Sequence, residues 1–152
     1  MVRRKNFTSD YCPSARSLDV IGDWWSLLIV RDAFDGLTRF GEFQKSLGIA
    51  KNILALRLRT LVERGILEAL PAADGGAHQE YCLTPMGRDL FPVMVALRQW
   101  GERHLFAADE ERSKLVERGT AIPIKLDVRT EDGRAIDSAN AVILKVSTPS
   151  DD

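Results

Sequence analysis

One pair of predicted helices constrains the fold of this chain more than any other part of its sequence. Phe43 and Leu47 lie four positions apart in a short helical pattern over residues 41–47. Gly48 follows, and a glycine there is typical of the left-handed residue that ends a helix. A longer helix is predicted over residues 50–64, where leucine or valine recurs at spacings of four, three and one. Two helices joined by so short a turn are the layout of a helix-turn-helix, whose second helix lies in the DNA major groove.

Two more helices are predicted before this pair. The first begins at Cys12-Pro13, because proline is tolerated at the first helical position, where its missing N–H is not needed. The second spans residues 24–34, with Asp23 as its N-cap, and is apolar around most of its circumference. We therefore expect this second helix to be central to the core, with a short strand over residues 37–40 after it.

A hairpin follows the longer helix directly. Residues 66–70 and 79–83 have strand character, and the segment between them is rich in proline, glycine and alanine. A hairpin in this position is the wing of a winged helix. Thr84 and the proline after it are then expected to cap one long helix that reaches about His104.

The predicted fold class is mainly α with a small β wing, that is, a winged helix-turn-helix with a long dimerisation helix and a β-rich C-terminal extension. Alternation of apolar and polar residues predicts an edge strand over 122–129, a turn at Asp132-Gly133 and a returning strand over 141–146. The expected division is a DNA-binding and dimerisation domain at 1–106, a linker or helix at 107–119, a small β-hairpin extension at 120–147 and a disordered tail at 148–152.

Composition is that of a soluble globular protein and gives no sign of an enzyme. The 152 residues are 45% hydrophobic and 28% charged, with a net charge of −1. Residues 1–65 hold 11 basic and 7 acidic residues, whereas residues 66–152 hold 10 and 15, which suits one basic face that meets phosphate.

Known catalytic and metal-binding patterns are missing from the sequence. It has no glycine-rich phosphate loop, nucleophile elbow or paired-histidine zinc motif, and only two cysteines and two histidines. We predict no catalytic residue, no metal site and no cofactor. The apolar run at residues 27–30 is too short to span a bilayer, and no signal peptide is visible, so we expect a cytoplasmic protein without a membrane partner.

A series of short motifs runs in order through residues 11–104. They are CP at 12–13, LDVIG at 18–22, WSLLI at 25–29, RFGEF at 39–43, RLRTL at 57–61, GIL at 65–67, EY at 80–81, LTPMG at 83–87 and WG at 100–101. This series resembles the HxlR-type winged helix-turn-helix transcriptional regulators.

The resemblance implies a homodimer that binds double-stranded DNA at a pseudo-palindromic operator. The first helix and the long late helix would form the dimer, which predicts interface positions at Leu18, Val93, Leu97 and Trp100. Members of the family commonly regulate neighbouring genes in response to small molecules, electrophiles or oxidants. The C-terminal segment resembles an extension that carries a Cys-Gly pair in some members, and Asp132-Gly133 replaces that pair here.

The predicted DNA contacts lie on the second helix of the pair and near the wing. Lys51 can address guanine, Asn52 can bond adenine, and Ala55 can touch a thymine methyl group. The full predicted set is Arg39, Lys51, Asn52, Ala55, Leu56, Arg57, Arg59 and His78.

Other interpretations of these residues stay open. The charged helix face can simply be solvated, and the arginines at 39, 57 and 59 can contact phosphates or pair with Glu42 or Glu63. The wing has no Lys or Arg, so its minor-groove anchoring should be weak unless Arg3, Arg4 and Lys5 form a basic arm. The alternative function is a winged helix that recognises another protein, which the uncharged wing and Leu56 favour.

Cys12 is a candidate redox sensor. A thiol at a helix start lies at the positive end of the helix dipole, which favours the reactive thiolate, and Arg16 adds positive charge. Some members of the family sense oxidants or electrophiles with a cysteine at this place, although an inert packed thiol is the alternative. Cys82 is expected to fill core space. For a small-molecule effector, the aromatic residues at 24, 25, 34 and 100 can line a pocket at the dimer interface or pack in the core.

Overall fold

The computed structural model describes residues 6–146, so the predicted basic arm and the predicted tail at 148–152 lie outside the described residues. The described residues form six α-helices, two paired strands and one 3₁₀ turn. These elements are α1 (Pro13–Ile21), α2 (Trp24–Phe34), α3 (Phe40–Leu47), α4 (Lys51–Glu63), β1 (Leu67–Pro71), β2 (Gln79–Leu83), α5 (Pro85–Arg88), α6 (Phe91–His104) and the 3₁₀ turn Ser138–Asn140. The chain divides into two compact units, Met1–Met94 and Val95–Asp152, each described by itself below.

Helix ends in the first unit follow the local chemistry of the sequence. Asp23 caps α2, since its carboxylate accepts hydrogen bonds from the Ser26 N–H at 2.9 Å and the Ser26 hydroxyl at 2.6 Å. Gly48 ends α3 in the left-handed conformation, with φ of 62°. Both predictions are confirmed, and the left-handed turn at Gly48 comes directly before the start of α4.

The core of the first unit lies between α2, α3 and α4. Ile29 and Val30 of α2 are fully buried, as is Phe43 of α3, and α4 contributes its leucines. The predicted central position of α2 is therefore confirmed. The other members of the buried apolar cluster are Ile21, Ile49, Leu54, Leu58, Leu61, Ile66 and Leu67.

The wing is an antiparallel hairpin, as predicted, in which β1 pairs with β2 from Leu67 opposite Leu83 to Pro71 opposite Gln79. The strand expected over residues 37–40 is reduced to a single bridge between Arg39 and Glu80, because α3 already begins at residue 40.

The single long helix expected after the wing was wrong in one respect, since it is divided into α5 and α6. Thr84 does cap α5, accepting a hydrogen bond from the Gly87 N–H at 3.0 Å. Pro92 explains the break. It has no N–H to donate to the carbonyl of Arg88, and its ring would clash with that carbonyl in a continuous helix.

The second unit lacks the predicted ladder between residues 122–129 and 141–146. Within the described part of this unit, pairing is limited to isolated bridges, Val116 with Pro123 and Arg129 with Ala135. Backbone groups of residues 122–129 instead bond to neighbouring loops and to a glutamine side chain, so no two strands run together. The predicted turn is present, with Gly133 at φ 89° and its N–H 2.9 Å from the Thr130 carbonyl oxygen.

Gly87 offers a test of the packing under the wing. A Cβ at this position would lie 2.1 Å from the carbonyl oxygen of Ile66, so the backbone would have to move. We expect Gly87→Ala to lower the free energy of unfolding by about 2–3 kcal/mol, as overpacking typically does. Urea denaturation of the full chain measures this. Gly41→Ala is the matched control, because no atom lies within 4 Å of its added Cβ. Equal stability of the two variants would contradict the expectation.

Candidate nucleic-acid interface

Helix α4 has one buried and one exposed face. Leu54, Leu58 and Leu61 are buried in the core. The side chains on the opposite side are exposed, and they include five of the predicted contact residues: Lys51, Asn52, Ala55, Leu56 and Arg59. This face combines two cations, one amide and two apolar side chains, which together can address phosphate oxygens, base edges and a thymine methyl group.

The turn before α4 fixes the helix to the core. Ile49, between the left-handed Gly48 and the N-cap Ala50, is buried. The Leu54 N–H bonds to the Ala50 carbonyl at 3.0 Å, which starts the helical ladder. The exposed face is thus presented by a short, anchored turn.

Arg57 does not point in the same direction as Arg59. Its side chain is partly buried, and its Nε lies 3.4 Å from an Asp23 carboxylate oxygen at the start of α2. The expected partners of this arginine were phosphate or the nearby glutamates, and the structure gives Asp23 instead. Sequence spacing alone could not show this, because the contact joins α4 to a helix distant along the chain.

Arg39 is bound to the tip of the wing. Its guanidinium lies 2.7 Å from the Asp74 carboxylate and 3.6 Å from that of Glu80. The hydrogen bond to Asp74 is the main cause that raises the pKa of Arg39. Glu42, the partner proposed from sequence, instead accepts the backbone N–H groups of Thr38 and Arg39, which lower its pKa.

Asp74 organises the wing loop. It accepts the Gly76 N–H at 2.9 Å, and this bond, followed by the bond from Arg39, lowers the pKa of its carboxyl. The same carboxylate lies 3.8 Å from Nε2 of His78. A wing without Lys or Arg of its own therefore holds a guanidinium supplied by the residue before α3. The sequence carried no signal for this pair, since its partners are 35 residues apart.

The two cysteines occupy different environments. Cys12 is exposed at the N-cap of α1, and its N–H donates to the Asp10 carboxylate at 2.8 Å. Arg16 bonds through Nε to the Asp10 carbonyl at 2.5 Å, so it lies near this turn. Cys82 is half-buried in β2, and burial, with Glu80 and Glu68 nearby, raises the pKa of its thiol.

Apolar side chains are exposed at each predicted dimer position. In the first unit these are Leu18 and Val93, and in the second unit Leu97 and Trp100. Of the other aromatic residues, Trp25 and Phe34 pack against the core, whereas Trp24 is exposed and meets Trp25 edge-on.

Two negative findings apply to the described residues 6–146. They hold no group of three or more His, Cys, Asp or Glu side chains arranged to bind a metal ion. Nor does any helix in this range have the length and apolar character to cross a membrane.

The winged helix-turn-helix geometry coincides with the match to a family model. The model for the HxlR-like helix-turn-helix matches residues 20–109. The chain belongs to this family, whose members are transcriptional regulators and not enzymes.

Relatives and solved structures agree with this placement. An HTH-type transcriptional regulator of Mycobacterium tuberculosis, MT3179, is 46% identical over 90 residues, or 59% of this chain and 57% of its own length. The chain thus matches a little over half the length of that relative. PA1607, a candidate transcription factor, is 57% identical at a TM-score of 0.87, with 92% of this chain and 99% of PA1607 covered.

A third similar protein is the redox regulator HypR in its reduced form. It is 34% identical at a TM-score of 0.57, with 62% of this chain and 94% of HypR covered. The PA1607 match extends much further along this chain, so most of the second unit also has a counterpart in a solved structure.

The Asp74 contacts predict a pH dependence of the wing. Because the folded pKa of this carboxyl is depressed, its stabilising contribution is present above the ordinary value of 3.8 and is lost as pH falls through the lower folded value. A carboxyl-detected NMR titration should give a midpoint below 3.8, with the Gly76 amide shifting alongside. In Arg39→Gln the midpoint should rise toward 3.8 while the Gly76 bond keeps it below. A midpoint at or above 3.8 in the wild type would contradict the assignment.

Proposed function

We propose that this regulator binds a pseudo-palindromic operator as a homodimer, with α4 of each protomer in a major groove. The observation that carries the proposal is the exposed face of α4, where Lys51, Asn52 and Arg59 stand opposite the buried leucines. A helix held so firmly on one side can present the other side to base edges at a fixed depth. Since the protein would act on chromosomal DNA, a cytoplasmic location follows from the proposal.

The side chains of α4 suit different parts of the duplex. Lys51 and Asn52 lie in the first turn, the part of a recognition helix that contacts base edges, and fit guanine and adenine. Ala55 and Leu56 are the apolar members of the face, suited to thymine methyl groups. Arg59, further along, suits a phosphate.

The wing supplies its cation through Arg39. The guanidinium keeps donors beyond its bond to Asp74, and His78 is beside it. We assign both residues to phosphate contacts next to the groove that α4 enters. Because Asp74 partly neutralises Arg39, this contact is weaker than that of a free arginine.

Dimerisation is supported by the exposed apolar side chains at Leu18, Val93, Leu97 and Trp100. Large exposed apolar side chains of this kind are typical of interfaces between soluble proteins. A twofold dimer would place its α4 helices about one helical turn of DNA apart or a multiple of that, which is why the operator should be pseudo-palindromic.

Arg59 and Arg57 form a matched pair for testing the DNA face. In Arg59→Ala, affinity should fall by the same factor for the DNA upstream of the gene and for DNA of unrelated sequence. The slope of log affinity against log salt should also decrease by about one, because one phosphate contact is lost. Fluorescence anisotropy over a salt series measures both quantities.

Arg57→Ala is the control, since that side chain contacts Asp23. Its salt slope should stay at the wild-type value, and its unfolding free energy should fall by up to about 1 kcal/mol. If Arg59→Ala leaves affinity and slope unchanged, α4 does not enter the groove as proposed. A wild type without sequence preference would favour the alternative, a protein-recognition module that uses the exposed Ile53 and Leu56.

We further propose that Cys12 makes DNA binding sensitive to oxidants. The thiol is exposed at the N-cap of α1, and HypR, a redox regulator, is a structural neighbour. Hydrogen peroxide would oxidise the thiolate to a sulfenic acid and be reduced to water. The exposed α1 that follows would then change its contacts.

The cysteine variants separate the two thiols. DNA affinity of the wild type and of Cys82→Ser should change several-fold on mild peroxide treatment, whereas that of Cys12→Ser should not. Cys82 is the control because its raised pKa favours the protonated thiol, which reacts with peroxide more slowly than a thiolate does. An equal response of wild type and Cys12→Ser would remove the sensor and leave the DNA-binding proposal standing. A small-molecule effector in place of an oxidant would then be the remaining signal to seek.

A further inference from the structure

Residues 141–146 are mostly apolar, yet their side chains are exposed. The segment reads AVILKV, and its apolar side chains Val142, Ile143, Leu144 and Val146 are 83%, 80%, 90% and 60% exposed. β-Branched and aliphatic residues in such a run are typical of a strand. A segment of six residues also has the usual length of one.

The backbone of this segment is unpaired as well. Within the described residues, no N–H or C=O group of residues 141–146 makes a hydrogen bond to another backbone or side-chain group. An extended apolar segment with a free backbone is a template for pairing with another strand.

A free strand edge lies elsewhere in the same unit. In residues 122–128, the backbone N–H and C=O groups that make hydrogen bonds belong to the even-numbered residues. The Ile124 N–H bonds to the Leu115 carbonyl at 3.1 Å, and the Ile136 N–H bonds to the Val128 carbonyl at 3.2 Å. The Leu126 N–H and carbonyl both bond to the amide of Gln99, at 2.5 and 2.9 Å. Alternate residues of an extended chain direct these groups to opposite sides, so one edge of this segment is satisfied.

The opposite edge is open. In the described range, the backbone N–H and C=O groups of Lys125 and Asp127 make no hydrogen bond. Their side chains form an ion pair with each other at 3.2 Å. The chain therefore carries one unpaired strand segment and one unpaired edge, and it does not join them to each other.

We propose that residues 141–146 of one copy add as a β-strand to the open edge at residues 123–127 of a second copy. By twofold symmetry, the second copy does the same to the first. The inference rests on the homodimer of the proposed function and adds a reciprocal exchange of strands between the second units. It also explains why two segments with strand character stay unpaired within one chain.

The apolar area suits a second copy of this chain. Among described residues of the second unit, Val95 is the one buried apolar side chain, whereas nine others are at least 48% exposed. At roughly 60–120 Å² for each such side chain, they offer on the order of 700 Å² of apolar surface. A standard interface buries about 800 Å² on each partner. The nine residues are Leu97, Trp100, Leu105, Ile122, Val128, Val142, Ile143, Leu144 and Val146.

Alternation along the strand provides a matched pair of variants. Leu144 shares one face with Val142 and Val146, whereas Lys145 lies on the other face. Leu144→Asp should raise the dimer dissociation constant at least tenfold in sedimentation equilibrium of the full chain. Lys145→Glu should change it less than twofold. Because Leu144 is exposed within one copy, circular dichroism should show an unchanged fold for both variants.

Hydrogen exchange tests the pairing without a substitution. At concentrations where the dimer prevails, the amides of every second residue within 141–146, together with those of Lys125 and Asp127, should exchange at least tenfold more slowly than in the diluted monomer. Fast amide hydrogen exchange at all concentrations would overturn the pairing between copies, and residues 141–146 would then be free to bind a different partner. Protection that is independent of concentration would also overturn it, because pairing would then be within one chain.

The outcomes distinguish this inference from the proposed function. A wild type that stays monomeric at all concentrations would overturn both the homodimer and the strand exchange. A dimer of unchanged affinity in Leu144→Asp would overturn the strand exchange alone, and DNA binding by the dimer would stand.

Discussion

Burial of the leucine face of α4 against α2 is the contact on which the rest of the first unit depends. Leu54, Leu58 and Leu61 are almost completely buried beside Ile29 and Val30. Each such side chain contributes about 1.5–3 kcal/mol through removal of its surface from water. This row decides which side of α4 faces outward, so the direction of Asn52 or Arg59 is a consequence of core packing rather than of local charge.

Periodicity and end signals predicted most of the first unit because they act over a few residues. The bounds of α2, the left-handed Gly48 and the strand over 79–83 follow from caps, turns and alternation. The break at Pro92 was not predicted. A proline is compatible both with the first turn of a new helix and with a kink inside a longer one. The apolar stripe alone favoured continuity.

The ion pairs near the interface were beyond sequence reasoning for a different reason. Arg39 and Asp74 meet because the wing folds back toward the start of α3, and Arg57 meets Asp23 because α4 crosses the start of α2. Neither distance is encoded by local spacing. The second unit shows the same limit, since alternation in residues 122–129 and 141–146 predicts strand character but does not specify which partner completes the sheet.

Asp23 makes two contacts with one carboxylate. It caps α2 through Ser26, and it lies against the guanidinium of Arg57 on α4. It is also separated from the end of α1 by Gly22 alone. The same carboxylate therefore contributes both to the start of α2 and to the position of α4. A displacement of the end of α1 would therefore move Asp23, and a displacement of Asp23 would change the contact that holds Arg57 of α4.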